Sequence, residues 1–249
     1  GTCTFYGTAN TNQMLMEFMG LQLSGSSFVN PGTELREQLT REAAIQVARN
    51  TKANGTDRPL YQILDEKAFV NGIIGLMASG GSTNLMIHLV AMARAAGIVI
   101  TWQDFADISA AVPLLARAYP NGKADVNQFH AAGGLNFLMN ELLTNGLLHD
   151  DVNTITSSSL SDYIREPFLN EGKLEWKSGV STPLDTSIVR QVAEPFSEEG
   201  GMQVLDGNLG TGVIKVSAVD KEHQIIKAPA IVFDDQNDLV EAFKAGKLN

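Results

Sequence analysis

A single cysteine in 249 residues is the tightest constraint on what this chain can fold into. Cys3 has no partner within the chain, so no disulfide framework is available. A structural zinc site built from several thiolates is excluded on the same ground. Stability must therefore come from an apolar core. The length suffices for one: at roughly 150 residues per domain it predicts one large domain or two small ones. Hydrophobic residues make up 44% and charged residues 18%, an ordinary globular composition. No apolar run reaches the roughly 18 residues of a membrane-spanning helix. The most apolar stretch, Phe69 to Met77, is broken by Asn71 and Gly72 and then followed by Ser79-Gly80-Gly81.

The formal net charge is -10, from 18 basic and 28 acidic residues. That balance argues against a nucleic-acid footprint, which needs a basic surface. It is compatible with a small anionic substrate, because a helix N-terminus makes a pocket locally positive. The chain begins Gly1-Thr2-Cys3, with no Met, no basic segment and no apolar segment of the kind a signal peptide carries. The expectation is a cytoplasmic setting and a piece of a longer polypeptide.

Hydrophobic spacing predicts helices for most of the first 150 residues. Met14, Leu15, Phe18 and Met19 follow a candidate cap at Asn10-Thr11-Asn12. Glu34 to Asn50 places Leu35, Leu39, Ala43, Ala44, Val47 and Ala48 on one face, with Arg36, Arg41 and Arg49 expected in solvent. A third helical stretch runs from Arg58 to Met77, and a fourth from Leu85 to Ala96. Trp102 to Ala111 is capped by Thr101, and Val126 to Asn145 is divided by Gly133-Gly134. Ile98-Val99-Ile100 and Val112 to Ala116 read as short strands. Past residue 150 the composition changes, and β-like runs appear at 202–205, 213–216, 224–226 and 230–233 before a terminal amphipathic helix, 238–245. The fold class is α/β: a mostly helical α/β part followed by the start of a β-rich domain.

Three segments could carry chemistry. Cys3 sits among small and hydroxylated residues, Gly1 to Thr11, and two readings are open. It is either a buried, inert cysteine or a thiolate near a helix N-terminus, where the dipole favours the anion. In Ala78 to Leu85, a Gly-Gly pair precedes Ser82-Thr83-Asn84 and an apolar helix. Free backbone N–H groups and hydroxyls there suit a carboxylate or phosphate, although a well-capped helix after a tight turn explains them equally. No Lys follows the glycines, so this is not a P-loop. His88, one turn into that helix, reads as a core histidine. Asp206 to Gly212, with three glycines between apolar runs, reads as a tight strand connection. His130-Ala131-Ala132-Gly133-Gly134 reads as a helix break near a site. No paired-ligand zinc motif and no Gly-x-Ser-x-Gly elbow occurs.

In this order the segments resemble the family of dihydroxy-acid dehydratases and phosphogluconate dehydratases. The resemblance is carried by residues 1–11, Ser24-Gly25-Ser26-Ser27, Ser79 to Asn84, His88-Leu89, Ala95-Ala96-Gly97, His130 to Gly134 and Asp206 to Leu209. Phe5-Tyr6-Gly7-Thr8-Ala9-Asn10-Thr11 is similar to the cysteine motif of the phosphogluconate branch, where the amino-acid biosynthetic branch has a Gly-Gly-Met-Tyr type sequence. Members of the family are about twice this length, so the chain corresponds to their middle portion.

The resemblance implies a hydro-lyase that converts 6-phospho-D-gluconate to 2-dehydro-3-deoxy-6-phospho-D-gluconate in the Entner-Doudoroff pathway. An iron–sulfur cluster would act as Lewis acid. It implies Cys3 as a cluster ligand, with the other cluster cysteines before Gly1 and the catalytic serine beyond Asn249. No catalytic base is therefore assigned here, and the segment alone is expected to be inactive. The branch implies [4Fe-4S] where some relatives carry [2Fe-2S], and the resemblance leaves room for a divalent cation. It also implies homodimers and a division into residues 1–172, part of the N-terminal α/β domain, and 173–249, part of a C-terminal β-rich swivelling domain. Substrate binding by Ser79, Gly80, Gly81, Ser82, Thr83 and Asn84 is our reading of the residues themselves. The partner expected is a small anionic sugar-acid phosphate, with no nucleic acid and no membrane. The alternatives are a dehydratase of another sugar acid or of branched dihydroxy acids, and a non-catalytic sugar-acid binding module.

Overall fold

A computed structural model of the chain describes residues 3–54 and 56–248. Among them the helices are α1 (Thr8–Phe18), α2 (Glu34–Arg49), α3 (Leu60–Ile63), α4 (Glu66–Ser79), α5 (Asn84–Ala95), α6 (Trp102–Ala111), α7 (Val126–Ala131), α8 (Gly134–Thr144), α9 (Leu160–Tyr163) and α10 (Gln236–Lys244). The strands form two antiparallel hairpins: β1 (Glu166–Asn170) with β2 (Lys173–Lys177), and β3 (Gln203–Gly207) with β4 (Gly210–Ile214). The α/β class expected from the sequence is present, with helices dominant. The chain divides into two compact units, residues 1–218 and 219–249. The domain change expected at residue 172 falls in the turn of the first hairpin.

Helix α4 is apolar nearly all round and is correspondingly buried from Asn71 to Ser79. Helix α1 packs against it in the opposite direction. Tyr6 and Thr11 meet the Ser79–Ser82 end, while Phe18 and Met19 lie over Gly75 and Gly72. A Cβ on Gly75 would come within 2.5 Å of the Phe18 ring, so only glycine permits this approach. Leu85 and Leu89 of α5, Phe105 of α6 and Phe137 of α8 complete the core around α1 and α4.

Helix α1 also carries a fully buried acid, Glu17. Its carboxylate accepts from the Gly25 and Ser27 backbone N–H groups at 2.6 and 2.7 Å, from Ser27 Oγ at 2.5 Å and from Gln22 Nε2 at 3.3 Å. These bonds wrap the Ser24-Gly25-Ser26-Ser27 loop around the acid. Ser24 Oγ then donates to the Arg165 carbonyl and accepts from the Arg165 N–H, which ties the loop to the first hairpin. Burial raises the Glu17 pKa above the ordinary glutamate value, and the donated bonds only partly offset it.

Several local expectations are corrected. Helix α1 starts at Thr8, and Asn10 and Thr11 lie inside its first turn, because their side chains are taken by tertiary hydrogen bonds. The stretch from Arg58 to Met77 is two helices, since Asp65 caps α4 by accepting from the Ala68 N–H and restarts the helix there. Helix α2 fully buries only Leu39, and Val47 is 73% exposed. Arg36 is half-buried rather than solvated, because it donates to the Val29 and Ser26 carbonyls of the loop. Ile98-Val99-Ile100 belongs to no strand, and the Ile98 N–H instead donates to the Ala93 carbonyl at the end of α5. Val112 to Ala116 is buried with isolated bridges, Leu114 to Ser197 and Ala116 to Val189, in place of a full strand. The runs at 224–226 and 230–233 form no strand; Ile225 and Val232 are 91% and 87% exposed, with no neighbouring edge to bond to among the described residues. Thr101 caps α6 in a full capping box, as expected.

Replacing Glu17 by Gln turns an acceptor oxygen into a donor facing N–H groups. Urea denaturation is expected to show a loss of about 2 kcal/mol. Because the folded-state pKa lies above the unfolded one, Glu17's proton-linked stability is complete below the ordinary glutamate value and declines as pH rises through the raised value. The stability gap between wild type and Glu17→Gln should therefore narrow with rising pH across that window.

Candidate functional site

The antiparallel packing of α1 on α4 places the segment after Cys3 beside the loop that follows α4. Tyr6 Oη donates to Ser79 Oγ at 2.8 Å. Thr8 Oγ1 and Ser82 Oγ are hydrogen-bonded at 3.0 Å, and Asn84 Nδ2 donates to Thr8 Oγ1 at 2.9 Å. The Ser82 N–H donates to Thr11 Oγ1 at 3.0 Å. Two motifs more than 70 residues apart thus become one polar surface at the adjacent N-termini of α1 and α5.

Neither helix is neutralised at that end. Gly7 and Thr83, the residues preceding α1 and α5, make no side-chain capping bond, and neither first turn contains an acid. The other long helices with caps of their own differ: Thr33 and Asp65 cap α2 and α4, whose first turns are acidic. The first N–H groups of α5 are taken locally, Asn84 by Ser82 Oγ and Leu85 and Met86 by the Ser82 and Thr83 carbonyls, so it is the positive end of each dipole that favours an anion at this surface.

Cys3 is exposed, which overturns the buried, inert reading of it. Its carbonyl accepts from Asn10 Nδ2 at 2.9 Å, and the same amide holds the Phe5 carbonyl at 2.7 Å. Asn10 thereby clamps the Cys3–Phe5 backbone over the start of α1 and leaves the thiol outside. The residues of the second motif divide into two sets. Ser79 is 1% exposed, and its hydroxyl is spent between Tyr6 and the Gly75 carbonyl. Gly80 takes the left-handed conformation that ends α4, and Gly81 is buried against Thr11. Ser82 and Thr83 are half-buried and Asn84 is exposed. Burial pushes the Tyr6 phenol far above its ordinary pKa, so it serves as a neutral donor.

Asn121 escaped the sequence reading. Its Nδ2 donates to the Ser79 and Gly80 carbonyls at 3.3 and 2.5 Å, and its Oδ1 accepts from Ser217 Oγ at 3.0 Å. In the sequence it belongs to a Pro-Asn-Gly turn, and nothing local signals a partner 41 residues away. His88 is exposed on α5 and not in the core, because α5 buries Leu85, Met86, Leu89 and Ala93 instead. Asp206 to Gly212 is the tip of the second hairpin, with Gly207 paired to Gly210, as the tight-connection reading expected. His130 lines a separate cleft. No three His, Cys, Asp or Glu side chains come together as a metal site among the described residues.

Comparison with known proteins bears on this surface. The dihydroxy-acid/6-phosphogluconate dehydratase N-terminal model matches residues 1–163, and the corresponding C-terminal model matches residues 187–249. A phosphogluconate dehydratase of Pseudomonas aeruginosa is 57% identical over 248 residues, and that of Escherichia coli K12 is 57% identical over 249. A dihydroxy-acid dehydratase of Caldanaerobacter subterraneus is 34% identical over 250 residues. Each similarity covers 100% of this chain; the chain spans 41% of the first two relatives and 42% of the third.

The Gly80 position offers a direct stability test. A Cβ there would lie 2.4 Å from Asn121 Nδ2, whereas one at Gly97, whose φ is also positive, meets nothing within 4 Å. Gly97→Ala is expected to cost about 1 kcal/mol from backbone strain alone, and Gly80→Ala about 1–2 kcal/mol more, as read by chemical denaturation.

Proposed function

The chain belongs to the dihydroxy-acid/6-phosphogluconate dehydratase family, and on that premise we propose that it forms the central part of a phosphogluconate dehydratase. The reaction is loss of water from 6-phospho-D-gluconate. A base takes the C2 proton, the C3–O bond breaks, and the enol tautomerises to the 2-keto acid. The product, 2-dehydro-3-deoxy-6-phospho-D-gluconate, places the enzyme in the Entner-Doudoroff pathway. Identities of 57% to relatives with that name support this reaction over the branched dihydroxy-acid reaction, whose relative is 34% identical. The observation that carries the reading is the junction of the Cys3 segment with the Ser79–Asn84 loop at two uncapped helix N-termini.

Cys3 fits an iron–sulfur cluster as one ligand: its thiol is exposed while its backbone is clamped by Asn10. A cluster needs further ligands, which the described residues do not supply, and the same holds for a divalent cation. When bound, such a cluster, [4Fe-4S] in this branch, supplies the Lewis acid that makes hydroxide a workable leaving group. The chain's own residues hold the substrate. The side chains of Ser82, Thr83 and Asn84, at the positive end of the α5 dipole, bind an anionic end of the sugar acid. Ser79, Gly80 and Gly81 shape that loop from below, with Tyr6 and Asn121 fixing its geometry.

The base is not assigned to these residues. Homodimeric association, a cytoplasmic setting and the division into 1–172 and 173–249 are part of the same proposal and rest on the family resemblance. No helix among the described residues is long and apolar enough to cross a membrane.

Cys3→Ser in the intact protein is expected to abolish both cluster absorbance and turnover, read by visible spectroscopy, iron content and a keto-acid assay. Retention of activity with a normal iron content would remove Cys3 from the cluster. Asn84→Ala leaves the buried scaffold intact and is expected to raise KM for 6-phospho-D-gluconate about tenfold, with a smaller change in kcat. Equal loss for an unphosphorylated aldonic acid would assign Asn84 to the carboxylate end, and a loss confined to the phosphorylated substrate to the phosphate.

A further inference from the structure

Two arginines that the proposed dehydration does not use converge on one ring. The Arg117 guanidinium carbon lies 4.7 Å from the centroid of the Phe196 ring, and that of Arg190 lies 4.3 Å from it. Backbone hydrogen bonds among three segments build this cluster. The Arg117 N–H donates to the Ile188 carbonyl at 2.8 Å, the Arg190 N–H to the Leu115 carbonyl at 2.8 Å, and the Phe196 N–H to the Leu114 carbonyl at 2.9 Å. The Leu115 N–H donates in turn to the Ala78 carbonyl at 2.7 Å, which ties the framework to the end of α4 that carries the Ser79–Asn84 loop.

The protein does not neutralise the two charges. Among the described residues no carboxylate forms an ion pair with either guanidinium, although Glu194, Glu198 and Glu199 flank Phe196 in the sequence. Glu199 accepts from Gln203 instead, Asp185 from Ser187, and Glu141 from the Val192 N–H. Like charges held at one ring repel, and stacking on its electron-rich face offsets only part of that. Donors remain free for an anion. Arg190 gives Nε to the Thr186 carbonyl at 3.1 Å and Nη1 to the Pro195 carbonyl at 3.4 Å, which fixes its plane and leaves Nη2 unused. Arg117 is exposed, and its guanidinium makes no hydrogen bond among the described residues. Arg117 lies in the stretch matched by the N-terminal family model, and Arg190 and Phe196 lie in the stretch matched by the C-terminal one. The cluster thus forms where the two family regions meet, a position that ligand sites favour.

We propose that Arg117 and Arg190 together bind a phosphate monoester. Guanidinium forks match the paired oxygens of a phosphate, and its near-double charge balances two cations where a carboxylate balances one. Phe196 holds both planes before the ligand arrives, which lowers the ordering cost of binding. The ester has two sources. One is the phosphate of the sugar acid, which rests on the dehydratase reading; the other is a separate phosphorylated compound, which does not.

The test is calorimetric titration of the intact protein with methyl phosphate at neutral pH. Saturable binding is expected. Arg117→Gln, at an exposed side chain without hydrogen bonds, should weaken it about tenfold with unchanged thermal unfolding. Arg190→Lys, which keeps the charge and loses the fork, should weaken it as well. Displacement of methyl phosphate by 6-phospho-D-gluconate, with a KM raised about tenfold in Arg117→Gln, would assign the site to the substrate's own phosphate. Simultaneous binding of both would assign it to a second phosphorylated compound. Binding of this kind in a protein that turns over no phosphogluconate would overturn the dehydratase reading and leave the arginine site standing. No saturable binding of methyl phosphate, or an affinity unchanged in Arg117→Gln, would overturn the arginine site itself.

Discussion

Helix α1 can lie against α4 only because two positions on α4, Gly72 and Gly75, have no side chain. The Phe18 ring occupies the space a Cβ on Gly75 would take, and Met19 does the same at Gly72. Close approach of two helix backbones fixes their relative sliding as well as their distance, since a bulky ring fits only one notch. With that register set, the N-terminal end of α1 falls level with the C-terminal end of α4. The Cys3 segment and the Ser79–Asn84 loop meet as a consequence. The polar contacts among Tyr6, Thr8, Thr11, Ser79, Ser82 and Asn84 then lock an arrangement that apolar packing has already placed.

The same helix organises the other side of the molecule through Glu17. A carboxylate without water is unfavourable unless donors surround it, and here the Gly25, Ser27 and Gln22 groups do so. The donors that offset the cost of burying the acid belong largely to one loop, which these bonds hold against α1. That loop anchors the first hairpin through Ser24 and Arg165, and it forms one wall of the cleft containing Asn136 and Glu166. One helix therefore supports both the polar surface at the starts of α1 and α5 and the cleft lined by Asn136 and Glu166.

The helices were legible where spacing and caps agreed. Thr101 before Trp102 and the stop at Gly97 are examples, and both lie where the sequence places them. Legibility failed where a side chain had a remote use. Asn10 and Thr11 resemble a cap, yet their polar groups reach the Cys3 carbonyl and the Ser82 N–H, so the helix begins before them. Arg36 resembles a solvated charge on α2, yet the loop it covers offers two carbonyls. The β-like runs after residue 220 have strand composition and no strand structure, because a strand exists only by hydrogen bonding to a neighbour.

The sequence alone determined the absence of disulfides, the helical character of the first 150 residues, and the two motifs whose residue types suit a thiolate ligand and an anion. Their family resemblance was legible as well, since it resides in short runs of contiguous residues. Only the tertiary structure decided which members of those motifs face outward. Ser79 and Ser82 are both serines in one run of six residues, but the first has its hydroxyl between Tyr6 and a backbone carbonyl, while the second bonds Thr8 at the rim. The role of Asn121 was decided there too. An amide's partner depends on which distant segments the core brings beside it, and local sequence does not encode that distance.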